Sequence, residues 1–257
     1  MTDGPAVATS SLDAPVPVVL SVPHGGTFLP AACTDALRID PATLWSDWYT
    51  AELYDLTREF AVPTVMAMLS RFVADPNRAP VAPLHGNFWS TAVPATDPAG
   101  APLYDRQLRP DELQERLDLA HAPYHRALDR AVTAALRRHP RVLLLDLHSF
   151  GLPLGPDVVL GDGDGSTARA EAGDRVEQAL RHEGFTVARN LRFTGGHIVR
   201  RWVGEPRVDA VQVELDQRCY LVDSDVEGNR PQPRRDPAGW ARTRQAVTAA
   251  IRALASG

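Results

Sequence analysis

A three-layer α/β sandwich, built on a mixed but mostly parallel sheet flanked by helices, is what three features of this 257-residue chain predict. Short β-branched or leucine-rich runs alternate with longer helical patterns, as strand–helix–strand units do. Most of those runs are apolar nearly throughout, as strands covered on both faces must be. Polar residues then follow several runs directly, at the strand ends where sheets of this class gather their sites.

Taken in order, the first fifteen residues, MTDGPAVATSSLDAP, lack the basic start and apolar core of a signal peptide, and read as a mobile tail ahead of one domain over 16–257. The first strand candidate, Val16–Val22, runs into His24 and the pair Gly25-Gly26. Asp40-Pro41 offers a helix N-cap followed by proline at the first helical position, and LWSDWYTAELYD places Asp47 early in a helix. A second strand candidate is Val62–Met68. The stretch Ala79–Leu103, rich in Pro, Ala, Gly and Asp, is a long loop, either a lid over a site or a surface excursion. Asp111–His139 is a long amphipathic helix with Leu113, Leu117, Ala120, Tyr124, Leu128 and Val132 on one stripe. Strand candidates follow at Val142–Leu147, Asp157–Leu160, Phe185–Asn190 and Val211–Leu215. Asp236-Pro237 then opens a last helix over Ala238–Ala255.

Composition excludes several classes. A net charge of −5 lacks the basic footprint of general nucleic-acid binding, and no apolar run is long enough to span a bilayer. Cys33 and Cys219 have neither CxxC spacing nor the number a disulfide framework needs; both read as inert thiols of a cytoplasmic protein. An acidic protein that binds an anion needs locally placed arginines.

Three segments bring chemistry to strand ends: VVLSVPHGG with His24, VLLLDLHSFG with Asp146 and His148, and VQVELDQ with Glu214. A side-chain period of two puts Asp146 and His148 on one face, and Gln212, Glu214 and Asp216 likewise. Such polar groups on buried strands need a partner, and a metal would serve. Two imidazoles, a carboxylate and an open water position make a catalytic zinc site. The carboxylate is open between Asp47 and Asp146, the latter suited also to orienting an imidazole. Arg71, Asn77 and Arg78 in SRFVADPNRAP suit carboxylate capture. NLRFTGGHIVRRW adds Gly195-Gly196, a close backbone approach to a ligand or a tight turn, then Arg200 and Arg201.

These motifs, with PLYD, PYHRAL, RRWVG and VQVELDQRCY, stand in the order seen in N-formylglutamate amidohydrolases, and the chain resembles that family from about Val18 to about Leu221. The resemblance implies a fold like that of zinc carboxypeptidases and aspartoacylase, with an eight-stranded type of mixed sheet. It implies one divalent metal, zinc, on His24, Asp47 and His148, with Glu214 as general base. It makes Arg71 the residue that polarises the scissile carbonyl, and Asn77, Arg78 and Arg200 the clamp for a small anionic amide. The activity implied is hydrolysis of N-formyl-L-glutamate to formate and L-glutamate, a last step in histidine breakdown. Competing readings are the same chemistry on another N-acyl amino acid, and a non-catalytic small-anion binder. Three departures surround the pocket: Asp75-Pro76 precedes Asn77-Arg78, Gly26 replaces a frequent serine, and His197 stands where an aromatic residue is common.

Overall fold

The five residues Val18–Val22 are buried without exception, because consecutive side chains enter two different cores. Val18, Leu20 and Val22 pack into one cluster and Val19 into another, which is the arrangement of a sheet sandwiched between helices. The computed structural model describes residues 6–227 and 231–256. In chain order its elements are β1 (Val7–Ser10), β2 (Val18–Val22), α1 (Thr50–Leu53), β3 (Thr64–Ala67), β4 (His85–Gly86), β5 (Val93–Pro94), α2 (Pro110–Arg116), α3 (Ala122–Arg138), β6 (Val142–Phe150), β7 (Val158–Gly161), α4 (Ala170–His182), β8 (Val187–Arg189), α5 (His197–Arg200), β9 (Val208–Asp216), α6 (Asp223–Glu227) and α7 (Pro237–Ser256).

Seven of these strands form one sheet in the order β1-β3-β2-β6-β9-β7-β8. Its centre, β3-β2-β6-β9, is parallel; β1 and β7 join antiparallel. The α/β sandwich and the mostly parallel sheet are therefore as expected, with seven strands among the described residues rather than the eight-stranded type. On one face α3 lays down Tyr124, Ala127, Leu128, Ala131, Val132 and Ala135, at the three- and four-residue spacing of a buried helical stripe. On the other, Val176 and Leu180 of α4 pack with Val247, Ile251 and Leu254 of α7. Asp236 caps α7 by accepting from the Gly239 amide at 2.8 Å, with Pro237 in the first turn.

Four local expectations are corrected. Residues 7–10 are a strand, not part of a mobile tail: Val7–Ser10 pairs in register with Ala67–Thr64 at the edge of the sheet. The remainder of that expected tail includes residues 1–5, which lie outside the described residues. Asp47 lies in an irregular segment before the single turn of α1, because Tyr49 adopts a left-handed conformation (φ 62°) that a helix cannot continue through. Asp40 does cap a helix, accepting from the Ala42 amide at 2.9 Å, but only one 3-10 turn, Pro41–Thr43. The long helix expected over Asp111–His139 is α2 and α3 joined through a wider π turn, Leu117–His121.

Candidate metal centre and anion pocket

The site forms at the carboxyl ends of β2, β6 and β9. Parallel pairing of β6 with β9 sets His148 opposite Glu214 in register. Pairing of β2 with β6 brings the segment after Val22, which carries His24, to the same edge. Gly26 lets that segment pass over β3's exit: a Cβ there would lie 2.2 Å from the Met68 carbonyl carbon, so a serine does not fit this backbone.

Three donor atoms then meet. His24 Nδ1 and His148 Nδ1 are 3.1 Å apart, and Asp47 Oδ2 stands 3.3 and 3.2 Å from them. Imidazole and carboxylate donors bind zinc at about 2.0–2.2 Å, so a triangle of this size subtends about 100° at a shared ion, close to tetrahedral. All three residues are buried, and Asp47 Oδ1 has no hydrogen-bond partner. The Arg71 guanidinium is the nearest cation to that oxygen, with Nη1 at 3.7 Å, an ion-pair distance beyond a hydrogen bond. Burial opposes charge on Asp47, yet His24 and His148 hold its carboxyl far below the usual range. Burial likewise opposes protonation of His148, but Asp146 and Glu214 overcome it and raise the ring well above its ordinary value. The pocket thus draws positive charge, and the donor set fits a divalent ion.

Each imidazole turns its other nitrogen to a carboxylate. His24 Nε2 lies 2.8 Å from Asp75 Oδ1, and His148 Nε2 lies 3.0 Å from Asp146 Oδ2. Metal-binding histidines are characteristically oriented in this way. Asp146 is itself held by the Ser21 hydroxyl at 2.7 Å, and that hydroxyl shares a 2.8 Å hydrogen bond with Tyr124 of α3. Between the two carboxylates left open by the sequence, Asp47 completes the triangle and Asp146 stands behind it. Asp75, not singled out in the sequence except as a departure, also accepts from Arg71 and from the Asn77 amide at 2.7 Å. Burial would raise its carboxyl, but Arg71 and His24 hold it well below the usual range.

Glu214 is buried in the same cavity, of about 630 Å³. Burial, with help from Asp47 and against the pull of His148, pushes its carboxyl up to about 7. Arg71, Asn77 and Arg78 also line this cavity. Arg71 stacks 4.3 Å over the Phe88 ring, and the Nε atoms of Arg71 and Arg78 are buried without acceptors, as donors awaiting an anion would be. Arg200 is not brought in: it is exposed, donating to the Gly195 carbonyl at 2.9 Å and to Thr194 Oγ1 at 3.1 Å. Arg192 lines the cavity instead, with Trp89, Asp97, Pro98 and Ala99 of the long loop beside it. That loop is a cavity wall, tied by β4 and β5 and by a 3.1 Å hydrogen bond from Trp89 Nε1 to the Pro98 carbonyl. Gly195 and Gly196 line it too, and a Cβ on Gly196 would meet Asn77 Oδ1 at 2.3 Å. Nothing in the spacing of the arginines distinguished 192 from 200; its left-handed backbone (φ 69°), which turns the chain at this point, is not legible in residue type.

Known proteins resemble this chain over most of its length. The chain is 32% identical over 224 residues to N-formylglutamate deformylase of Pseudomonas putida, covering 82% of this chain and 84% of that one. To the Pseudomonas aeruginosa deformylase it is 33% identical over 220 residues, covering 80% and 82%. The crystal structure of N-formylglutamate amidohydrolase from Ralstonia eutropha JMP134 superposes with a TM-score of 0.80 at 27% identity, over 98% of this chain and 97% of that one. The family model for N-formylglutamate amidohydrolase matches residues 16–221, the span that supplies every group of the cavity named above, and the chain belongs to that family.

Proposed function

We propose that this chain hydrolyses N-formyl-L-glutamate to formate and L-glutamate, with a divalent ion held by His24, Asp47 and His148. The observation that carries the reading is the juxtaposition, in one cavity, of that donor triangle, a buried glutamate outside it, and arginines with unanswered donors. Neutral imidazoles with one carboxylate suit zinc. When bound, the ion would supply Lewis acidity to the reacting water and the formyl oxygen.

The chain's own residues do the rest. Glu214 accepts the proton of the attacking water as general base, a role its raised pKa near neutrality suits. Gln212 aims it, donating to Glu214 Oε1 at 2.7 Å. Arg71, fixed by Asp75 and by its stacking on Phe88, offers its guanidinium to the negative charge that develops on the formyl oxygen. Glu214 then delivers the proton to the departing amine nitrogen. Arg78 and Arg192 take the two carboxylates of the glutamate, and Asn77 shapes the pocket beside them. Histidine breakdown is the metabolic setting this reading implies, and the unpaired Cys33 and Cys219 support the cytoplasm as its place. No helix among the described residues is long and apolar enough to cross a membrane.

Formate release from N-formyl-L-glutamate, measured beside bound metal, tests the proposal. Wild type should turn over and E214Q should lose turnover by about 100-fold or more while keeping its metal. Normal activity in E214Q would sink the assignment of the base. The cavity also admits larger N-acyl amino acids; strong turnover of one of these beside weak turnover of the formyl compound would favour that second reading.

A further inference from the structure

Against the Asp75–Arg78 turn, outside the lining of the anion pocket, three histidines from three elements converge. His121 closes the π turn, His125 lies on α3, and His197 opens α5. One ring nitrogen from each lies within 4.8 Å of the other two. Their ring centres are 4.4, 5.2 and 6.0 Å apart. Three imidazoles sharing one tetrahedral ion at about 2.0–2.1 Å place their ring centres about 5 Å apart, inside that range.

We propose that His121, His125 and His197 form a second transition-metal site, separate from the His24–Asp47–His148 centre. The tautomers favour it. His121 Nε2 donates to the Arg78 carbonyl at 3.0 Å and His125 Nε2 to the Pro76 carbonyl at 2.9 Å. Both rings therefore carry their proton on Nε2 and present a lone pair on Nδ1. A ligand ring whose far nitrogen is anchored on a backbone carbonyl is the usual arrangement at protein metal centres. No hydrogen bond among the described residues engages His121 Nδ1 or either nitrogen of His197, so each of these rings keeps a nitrogen with no partner to give up. His125 Nδ1 does accept from Arg201 Nη1 at 2.8 Å, and that bond is the cost of occupancy. Arg201 keeps an anchor without it, since its Nη2 pairs with both Asp129 oxygens at 2.9 and 3.2 Å. His121 and His125 are buried and His197 half-buried, which leaves a path for an ion to enter.

Three neutral nitrogens with an open fourth position suit a borderline divalent ion such as zinc, nickel or copper rather than magnesium or calcium. Because the ligands hold the carbonyls of Pro76 and Arg78, and the His197 amide donates to the Asn77 carbonyl at 3.2 Å, an ion here ties α3 and α5 to the turn that carries Asn77 and Arg78.

The test is a cobalt(II) titration of chelator-stripped full-length protein, counting the metal retained through gel filtration. Wild type should retain one equivalent more than H197F, in which an aromatic ring without a donor nitrogen takes the place of the imidazole. H121Q, whose side-chain amide can still donate to the Arg78 carbonyl, should lose the same equivalent. In an H148A background the second equivalent should persist and then vanish when H197F is added. Equal metal content in wild type, H197F and H121Q overturns the proposal. That comparison reads only the difference between variants, so it stands apart from whether the His24–Asp47–His148 centre binds metal.

Discussion

Gln212 donates from Nε2 to Glu214 Oε1 at 2.7 Å, while its own oxygen accepts from the Gly196 amide at 2.7 Å and from Asn77 Nδ2 at 3.3 Å. The two residues stand two apart on β9, on one face, so a single strand carries the proposed base together with the group that aims it. Q212L should lower turnover by about 10- to 100-fold with metal content unchanged, the usual cost of losing an outer positioning contact. Steady-state kinetics beside metal analysis checks this; wild-type kcat in Q212L would leave Glu214 oriented by something else.

Asp47 and Asp146 should separate by metal affinity. D47A removes a corner of the donor triangle and should abolish stoichiometric binding. D146N keeps the triangle but loosens the orientation of His148, and should weaken binding by about 10- to 100-fold. Competition against a chromogenic chelator distinguishes them, and equal loss in both variants would contradict the division of roles.

The arginines should divide by KM. Removing a charged hydrogen bond to a carboxylate costs about 1.5–3 kcal/mol, or roughly 10- to 150-fold in affinity. R78A and R192A should each raise KM on that scale, whereas R200A, whose guanidinium serves its own loop, should leave KM unchanged.

Acidification should loosen the cavity wall. His85 in the long loop bonds the Val93 carbonyl through Nδ1 at 3.0 Å, and burial lowers its pKa from the ordinary 6.5, outweighing the opposite pull of that bond. The ordered loop therefore binds a proton less readily than the opened one. Its contribution to stability is full above about pH 6.5 and is lost as pH falls through the lowered value. Exchange rates of the amides over residues 85–96, each divided by the intrinsic rate at the same pH, should rise on acidification below about 6.5, and that rise should flatten in H85Q.

Packing makes one further demand. G26S places a Cβ 2.2 Å from the Met68 carbonyl carbon, a backbone atom that cannot swing aside. The substitution should destabilise by about 1–3 kcal/mol, read as a lower midpoint in urea unfolding.

Much of this was legible in residue type and order. Each strand of the parallel centre was marked by an apolar run, since burial on both faces leaves no room for alternation. His24, His148 and Glu214 stood at or near strand ends, where topology alone could bring them together. Other features depend on conformation or distant partners. Val7–Ser10 is too short and too polar to announce a strand, and acquires its order from the open edge of β3. Asp47 follows helix-like spacing, but one left-handed residue, Tyr49, stops the helix short of it. The helix α4 carries Ala172, Val176 and Leu180 four residues apart on one buried stripe, so its pattern was present in the sequence although no helix was expected there. The role of Asp75 depends on its reach to His24, fifty-one residues away in sequence, and no local pattern carries that.

The pairing of β6 with β9 has a consequence for how this protein can diverge. His148 and Glu214 are held opposite one another by main-chain hydrogen bonds that no side-chain replacement removes. The outer walls of the cavity belong elsewhere, to the loop bearing Trp89 and Asp97 and to the turn bearing Arg192. Mutation can therefore reshape what enters without disturbing how it would be cleaved. Descendants of such a scaffold are free to change diet while keeping the same teeth.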